Sequence, residues 1–191
     1  NGQVITDQHQ LPDLAMRYDV RTEAGSNASL AVLGRQLSYQ DATSGDLETA
    51  WGYGVSLAGR LKVGARDDFR FMANYGHIGR YLGLNAFADG ALEADGDITP
   101  NLLLGGLAAY RHFWSEGLRS TVSVSAARSE ADRADVGGAA AEQYLSTHVN
   151  LMYSPFPALT YGLEYSHGER ENFNGSDGTM ERAQFSAKYA F

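Results

Sequence analysis

The end of the chain, residues 179–191, alternates between apolar and polar side chains. One parity carries the apolar residues Ala183, Phe185, Ala187, Tyr189 and Phe191, and the other carries Arg182, Gln184, Ser186 and Lys188. A period of two predicts a β-strand with one apolar and one polar face. Because this strand runs to the last residue and ends on an aromatic, it is typical of the closing strand of an outer-membrane β-barrel, with the aromatics toward lipid.

The same period recurs along the chain and predicts nine antiparallel strands. They lie near residues 14–20, 30–39, 51–63, 69–76, 102–114, 118–128, 145–153, 161–165 and 179–191. Short connections alternate with longer ones, and the longest covers residues 77–101. Transmembrane barrels show this asymmetry between short periplasmic turns and longer external loops. The aromatics beside the short turns fit an interfacial girdle, and they are Phe69, Phe113, Trp114, Phe156 and Phe191.

Hydropathy excludes a helical membrane protein. The longest apolar run, residues 102–110, is broken by Gly105 and Gly106, whereas a spanning helix needs roughly 18–20 apolar residues. The mean hydropathy of −0.32 is slightly polar, but a barrel needs only every second residue to be apolar. We therefore predict an all-β, up-and-down transmembrane barrel that forms one domain over residues 1–191. A soluble meander barrel is the alternative, and it is disfavoured because its polar face would be the outside.

The odd number of strands has a consequence for closure. Bacterial single-chain barrels have even strand numbers, and nine antiparallel strands would have to close with a parallel pair. We therefore expect the chain to be the C-terminal part of a larger barrel. The alternative recruits residues 1–10 as a tenth strand. Against it, the only strong strand formers there are Val4, Ile5 and Thr6.

Four stretches carry a resemblance to a known family. They are HIGRYLGLN at 77–85, AYRHFW at 109–114 followed by LRS at 118–120, RQL at 35–37, and QFSAKYAF at 184–191. Over the whole chain, the sequence resembles the C-terminal half of the DcaP-like trimeric porins of Gram-negative bacteria. The resemblance implies a sixteen-stranded barrel, an outer-membrane location, a homotrimer and uptake of dicarboxylates and related small anions.

The expected partners follow from this class of protein. They are small anionic solutes such as dicarboxylates, the lipid bilayer with lipopolysaccharide, and the barrel assembly machinery. The last strand resembles the C-terminal signal by which barrels are recognised for assembly, which would be read at Phe185, Tyr189 and Phe191. A nucleic-acid partner is disfavoured by the formal net charge of −8.

The charged residues sort by position. The polar parity of the strands carries the bases Arg17, Arg21, Arg35, Arg60, Arg70, Arg111, Arg119, Arg182 and Lys188, against the acids Asp19 and Glu164. Most of the other acids, Asp41, Asp67 and Asp68 among them, gather in the connections. Basic pore walls favour anions, and guanidinium pairs well with carboxylate. We therefore predict that these bases line an anion-passing channel, with Arg80 and Tyr81 at its mouth.

Several alternatives stay open from the sequence. The wall arginines could pair with acids from the rest of the barrel or from an inward-folded loop, which would leave an unselective diffusion porin. A barrel enzyme of the lipase or deacylase type could use Ser146 and His148, but no acidic orienter is evident. A purely structural barrel would have a plugged lumen, whereas the small residues Gly52, Gly54, Ser56 and Ala58 of the third strand fit either space inside or close packing. The acids Glu93, Asp95 and Asp97 fit a solvated loop better than a Ca²⁺ site, so we expect no metal and no cofactor.

Overall fold

A computed structural model describes residues 2–4, 11–40, 45–82, 86–93 and 96–191, and of residues 2–4 and 133 it describes the backbone. The strands, in chain order, are β1 (Gly2–Val4), β2 (Leu14–Arg21), β3 (Asn27–Gln40), β4 (Leu47–Val63), β5 (Asp67–Gly76), β6 (Gly90–Leu92), β7 (Ile98–Pro100), β8 (Leu103–Phe113), β9 (Leu118–Ser129), β10 (Ala141–Phe156), β11 (Leu159–Asn172) and β12 (Asp177–Tyr189). Two short helices, α1 (Gly79–Leu82) and α2 (Arg133–Val136), lie in the longer connections.

The main sheet has nine strands in the order β2-β3-β4-β5-β8-β9-β10-β11-β12. Each strand pairs antiparallel with the strands next to it in this order. The predicted up-and-down architecture is therefore confirmed, although the last strand ends at Tyr189 rather than at Phe191. The sheet is a partial barrel in which β2 and β12 form the edges and run in the same direction.

The first residues do not add a tenth strand to this sheet. Gly2–Val4 pairs with β6, which pairs with β7, so these strands form a separate three-stranded sheet. Residues 5–10, with Ile5 and Thr6 of the alternative reading, lie outside the described residues.

The cross-strand register shows the two faces of the main sheet, because directly opposed residues share a face. On the outer face, Val149 of β10 opposes Val122 of β9 and Tyr165 of β11, and all of them are exposed. Phe185, at 68% exposure, lies on this face beside Leu163. An exposed apolar face of this extent is the surface that a barrel turns to lipid. The described part of the chain contains no helix that is long and apolar enough to cross a membrane.

One member of the predicted aromatic girdle is misplaced. Phe113 opposes Arg119, and its ring centroid lies 5.2 Å from Cζ of Arg111, so it belongs to the inner face. Trp114 is exposed, and Phe69 opposes Tyr110 on the outer face. The prediction for Phe113 was wrong because closeness to a turn sets the depth of a residue in the membrane, whereas parity sets its face.

The buried core lies on the inner face, under the long connection. The described residues of this connection, 77–82, 86–93 and 96–101, which we call the inward segment, supply Ile78 and Phe87 to a buried cluster that Leu103 and Ala141 complete. Leu33 of β3 and Tyr144 of β10 pack against this cluster. Because the segment touches strands that are far apart in the sheet, β3 and β10, it covers part of the inner face instead of extending away from it.

Candidate functional site

The inward segment docks where the inner face has no side chains. An added Cβ on Gly54 would lie 2.5 Å from Cγ2 of Ile78, and one on Gly52 would lie 3.0 Å from Cβ of His77. Gly105 on β8 similarly faces Leu82, at 3.1 Å. The run of small residues on β4 therefore serves close packing of the segment rather than open space.

A buried carboxylate anchors the segment to the wall. The side chain of Asp89 is fully buried, and its Oδ1 accepts a hydrogen bond of 2.9 Å from Nη1 of Arg35, which is itself 3% exposed. Its Oδ2 lies 3.1 Å from Nε of Arg80. Arg35 also donates to the carbonyl oxygen of His77, at 3.3 Å. Thus Arg35 lies on the inner face, as expected from its parity, but its charge is neutralised beneath the segment.

The residues before β2 join the same anchor. Asp13 Oδ2 accepts a hydrogen bond of 2.6 Å from the hydroxyl of Tyr81 and lies 3.4 Å from Nε of Arg35. This hydrogen bond to Asp13 raises the pKa of Tyr81 above its ordinary value, with burial adding to the shift. Arg80 and Tyr81 are both exposed on α1, so they face the space beside the segment. A role for them at the pore mouth stays a prediction.

A cavity of about 720 Å³ separates part of the inward segment from the wall. Leu82 and Phe87 line it from the segment, while Tyr144, Arg170 and Met180 line it from the strands. The ring centroid of Tyr144 lies 5.7 Å from Cζ of Arg170. The segment therefore narrows the inner space without filling it.

The register places all of the predicted basic residues on the inner face. Arg21 opposes Asn27, Arg60 opposes Arg70, and Arg182 opposes Ser166. The same parity adds two bases that the sequence reading missed, Lys62 and Arg170. The sequence does indicate both, because Lys62 lies two residues after Arg60 and Arg170 lies four residues after Ser166, on the same polar parity.

The acids of the inner face are more numerous than predicted. Asp68 was assigned to a turn, but it begins the inner face of β5, is 3% exposed, and pairs with two arginines. Its Oδ1 lies 2.7 Å from Nε of Arg70, and its Oδ2 contacts Nη2 of Arg111. Glu48 also has inner-face parity, opposite Tyr39. The prediction failed at Asp68 because β5 begins earlier than its aromatic alternation suggests. Asp41 lies outside the described residues.

The remaining inner-face arginines differ in their partners. Arg17 pairs with Asp19 at 2.7 Å, and both side chains are largely exposed. Arg60 donates to the carbonyl oxygen of Gly25 at 3.0 Å, and Arg119 donates to the hydroxyl of Ser154 at 3.2 Å. Arg17 is therefore paired with a carboxylate, whereas Arg60 and Arg119 donate to neutral oxygen atoms, which do not cancel their charge.

Comparison with known proteins decides the family. A family model described as the DcaP outer membrane protein matches residues 2–191. The chain belongs to the DcaP outer membrane protein family. It is accordingly a protein of the bacterial outer membrane. No match was found among curated protein sequences.

The fold agrees with a solved member of the DcaP family. The crystal structure of the outer membrane channel DcaP of Acinetobacter baumannii superposes with a TM-score of 0.83 at 23% sequence identity. The match covers 100% of this chain and 56% of that chain. The chain therefore spans little more than half the length of that DcaP channel and shares its fold over this part.

The stretches that carried the resemblance to DcaP proteins have structural roles. In AYRHFW, Tyr110 donates to Asp67 Oδ2 at 2.7 Å, His112 Nδ1 lies 2.7 Å from the same oxygen, and the amide of Phe113 donates to Asp67 Oδ1 at 2.9 Å. This motif therefore locks β8 to the start of β5. HIGRYLGLN forms α1 and the docking contacts of Ile78, although Gly83, Leu84 and Asn85 lie outside the described residues.

The proposed assembly residues lie on or beyond the last strand of this DcaP chain. Phe185 opposes Leu163 and stacks on Tyr161 at a centroid distance of 6.2 Å, and Tyr189 opposes Leu159. Phe191 follows the end of β12 and is fully exposed. Reading of these residues by an assembly machinery stays a prediction.

The structure supplies His148 with the acidic neighbour that the sequence did not reveal. Its Nδ1 lies 3.4 Å from Oε1 of Glu164 on β11. The Ser146 hydroxyl, however, bonds to the Ser125 hydroxyl at 2.7 Å, and among the described residues no serine hydrogen-bonds to His148. The geometry therefore lacks the nucleophile-to-base contact by which a hydrolase is recognised. Of the acids considered for Ca²⁺, Asp95 lies outside the described residues.

Proposed function

We propose that this DcaP-family chain forms the wall of a porin through which small anions, dicarboxylates in particular, diffuse passively. The inner face of the main sheet lines the path, and the inward segment narrows it. The bases of the path are Arg17, Arg21, Arg60, Lys62, Arg70, Arg111, Arg119, Arg170, Arg182 and Lys188.

One arrangement carries the proposal. A cavity of about 380 Å³ on the sheet is lined by Arg17, Asn27, Ser29, Arg60 and Arg70, with Asp19 as its acidic member. Arg60 and Arg70 are directly opposed, and like charges placed this close are unfavourable without an anion. Asp68 pairs with Arg70, whereas among the described residues the side chain of Arg60 has its hydrogen bond to the carbonyl oxygen of Gly25 and no ion pair. A carboxylate in this cavity would supply the missing counter-charge.

The chemistry of guanidinium explains why carboxylates suit such a wall. Guanidinium presents paired, planar donors that match the two oxygens of a carboxylate, and it keeps its charge at any physiological pH. A cleft lined by one sign of charge also raises the local concentration of the opposite ion. A dicarboxylate can engage Arg60 and a second base along the wall before it moves on.

Unselective diffusion is the second candidate, and a specific observation favours it. Arg35 is neutralised by Asp89, Arg17 pairs with Asp19, and Arg70 and Arg111 share Asp68. With these pairs removed from the balance, the bases left to act on a solute are Arg21, Arg60, Lys62, Arg119, Arg170, Arg182 and Lys188. Selectivity then depends on fewer side chains than the full basic wall offers.

Block of the current by a dicarboxylate tests the proposal. Succinate is added to the protein reconstituted in planar bilayers, and the chloride current is recorded. We expect succinate to reduce this current because it occupies the arginine-lined cavity, whereas succinamide, its neutral analogue of similar length, leaves the current unchanged. Equal effects of the two compounds would favour unselective diffusion.

We further propose that the protein acts as a homotrimer in a bilayer containing lipopolysaccharide, as the resemblance to DcaP-like porins implies. The mass of the detergent-solubilised protein tests this proposal. A mass of one subunit in mild detergent, together with channels of unchanged conductance, would contradict it.

A further inference from the structure

The inner face carries a second, uncharged surface beside the arginines. On β9 and β10, six half-buried side chains face inward in directly opposed pairs: Thr121 with Asn150, Ser123 with His148, and Ser125 with Ser146. We call these six residues the polar strip. Apart from His148, the members carry hydroxyl or amide groups, which can hydrogen-bond a solute without attracting charge.

The polar strip adjoins the basic wall. Arg111 of β8 directly opposes Thr121. Ser123 opposes Ala109 of β8, which in turn opposes Arg70 of β5, so Arg70 lies two strands away from Ser123. Neighbouring strands are about 4.8 Å apart. A hydroxyl on the carbon next to a carboxylate held by Arg111 can therefore reach the strip. On the far side, β11 places Ser166 and the carboxylate of Glu164 beside the strip, and Arg182 lies beyond Ser166.

Some of the strip's hydrogen-bonding capacity is already used, and some is free. Asn150 Oδ1 accepts from the amide of Thr121 at 3.1 Å, and Ser125 and Ser146 bond to each other. Among the described residues, no hydrogen bond involves the Ser123 hydroxyl or the side-chain nitrogen of Asn150. An acceptor and donors therefore point to the inner space within one residue spacing of Arg111.

We propose that the polar strip selects hydroxylated carboxylates, such as hydroxy-dicarboxylates and sugar acids, over alkyl dicarboxylates of the same charge. This inference rests on the proposed passage of anions. The carboxylate lies on Arg111 or Arg70, and hydroxyl groups on the adjacent carbons exchange hydrogen bonds with Ser123, Thr121 and Asn150. An alkyl dicarboxylate makes the first contact but offers the strip only methylene groups, which gain nothing from neutral polar partners.

The experiment compares two probes of equal charge, succinate and tartrate, in the reconstituted full-length protein. Permeabilities are taken from reversal potentials under gradients of each salt and corrected for free-solution mobility. Because neutral hydrogen bonds exchanged with water are individually weak, we expect tartrate to be favoured by about two- to fivefold.

Variants of the strip make the test specific. The double variant Thr121→Val with Ser123→Ala removes two hydroxyls at nearly constant volume, and it should bring the corrected ratio to about one without changing succinate permeability. Ser123→Thr retains a hydroxyl and should keep the wild-type ratio. Ser186→Ala, which removes a hydroxyl from the inner face of β12, is the matched control and should also keep it.

The outcomes separate this inference from the proposed function. A corrected ratio of one in the wild-type protein, or an unchanged ratio in the double variant, overturns the role of the strip even if the channel prefers anions. Loss of the ratio in Ser186→Ala as well would also overturn it, because the effect would then not belong to the strip. Absence of any preference for chloride over potassium would instead overturn the proposed function.

Discussion

The guanidinium of Arg35 and the carboxylate of Asp89 form a fully buried ion pair, with 2.9 Å between Nη1 and Oδ1. Arg35 belongs to strand β3 of the main sheet, whereas Asp89 belongs to the inward segment, so this pair joins the segment to the sheet. Breaking a buried pair by removing one partner leaves an uncompensated charge and costs about 3–5 kcal/mol. The position of the segment therefore depends on this contact more than on its exposed residues.

The first prediction concerns this pair. Asp89→Asn keeps the side-chain size but removes the closer counter-ion of Arg35 and leaves, among the described residues, only the 3.4 Å ion pair with Asp13, which lies outside the segment. We therefore expect the inward segment to detach part of the time. Limited proteolysis should cut residues 77–101 faster, and single-channel currents should fluctuate more. Asp19→Asn is the control, because its exposed pair with Arg17 is worth about 0–1 kcal/mol. Equal protease resistance of the two variants would contradict the anchoring role.

The second prediction concerns the packing of Ile78 on Gly54. Gly54→Val places a side chain where Ile78 now lies, and we expect overpacking to cost about 1–3 kcal/mol and to displace the segment. Gly34→Val, on the outer face of β3 with no atom within 4 Å of its added Cβ, should leave the conductance unchanged. An unchanged conductance in Gly54→Val would show that the segment does not narrow the path.

The third prediction concerns Arg60. Arg60→Gln should lower the preference for anions, measured as the chloride-to-potassium permeability ratio, by about two- to tenfold because one unpaired wall charge is lost. Arg66→Gln removes an arginine of the β4–β5 turn that pairs with Glu116, and it should have little effect. Charge reversal at Arg70 or Arg111 is a less specific test, since each is a partner of the buried Asp68. If Arg66→Gln lowered the ratio as much as Arg60→Gln, the wall charge would not set selectivity.

The fourth prediction concerns pH. Burial and the nearby positive charge of Arg35 lower the pKa of His77 below its ordinary value of 6.5. The folded segment therefore favours neutral His77, whose Nδ1 accepts the amide hydrogen of Tyr53 at 3.3 Å. The stabilisation is complete above pH 6.5 and is lost as the pH falls through the lowered pKa. We expect more frequent current fluctuations at acidic pH, and a weaker pH dependence in His77→Gln. A pH dependence unchanged in that variant would assign the effect to another group.

Sequence alternation alone located the strands and the face of most residues. A period of two is local, so Arg17, Arg60 and Arg182 could be assigned to the inner face without knowledge of their neighbours. Applied throughout the predicted strand 51–63, the same rule would have included Lys62, and it should have placed Phe113 inside. Arg170 was missed because the predicted strand 161–165 stops short of it, and local patterns define strand ends poorly.

The inward segment could not be predicted in the same way. Its contacts, Ile78 with Gly54 and Asp89 with Arg35, join residues far apart in the chain, and no local period encodes them. The small residues of β4 signalled either close packing or open space, and only the docked segment distinguishes the two. The neutralisation of Arg35 and the pairing of Asp68 follow from the same long-range contacts, so the charge of the wall could be read only in part.

The reversal potential of the reconstituted full-length protein under a potassium chloride gradient tests the central proposal most directly. With Arg60 and its neighbouring bases facing the path, we predict a potential of the sign set by chloride, and a smaller potential of the same sign in Arg60→Gln. A potential of the sign set by potassium in the unmodified protein would contradict an anion-passing wall.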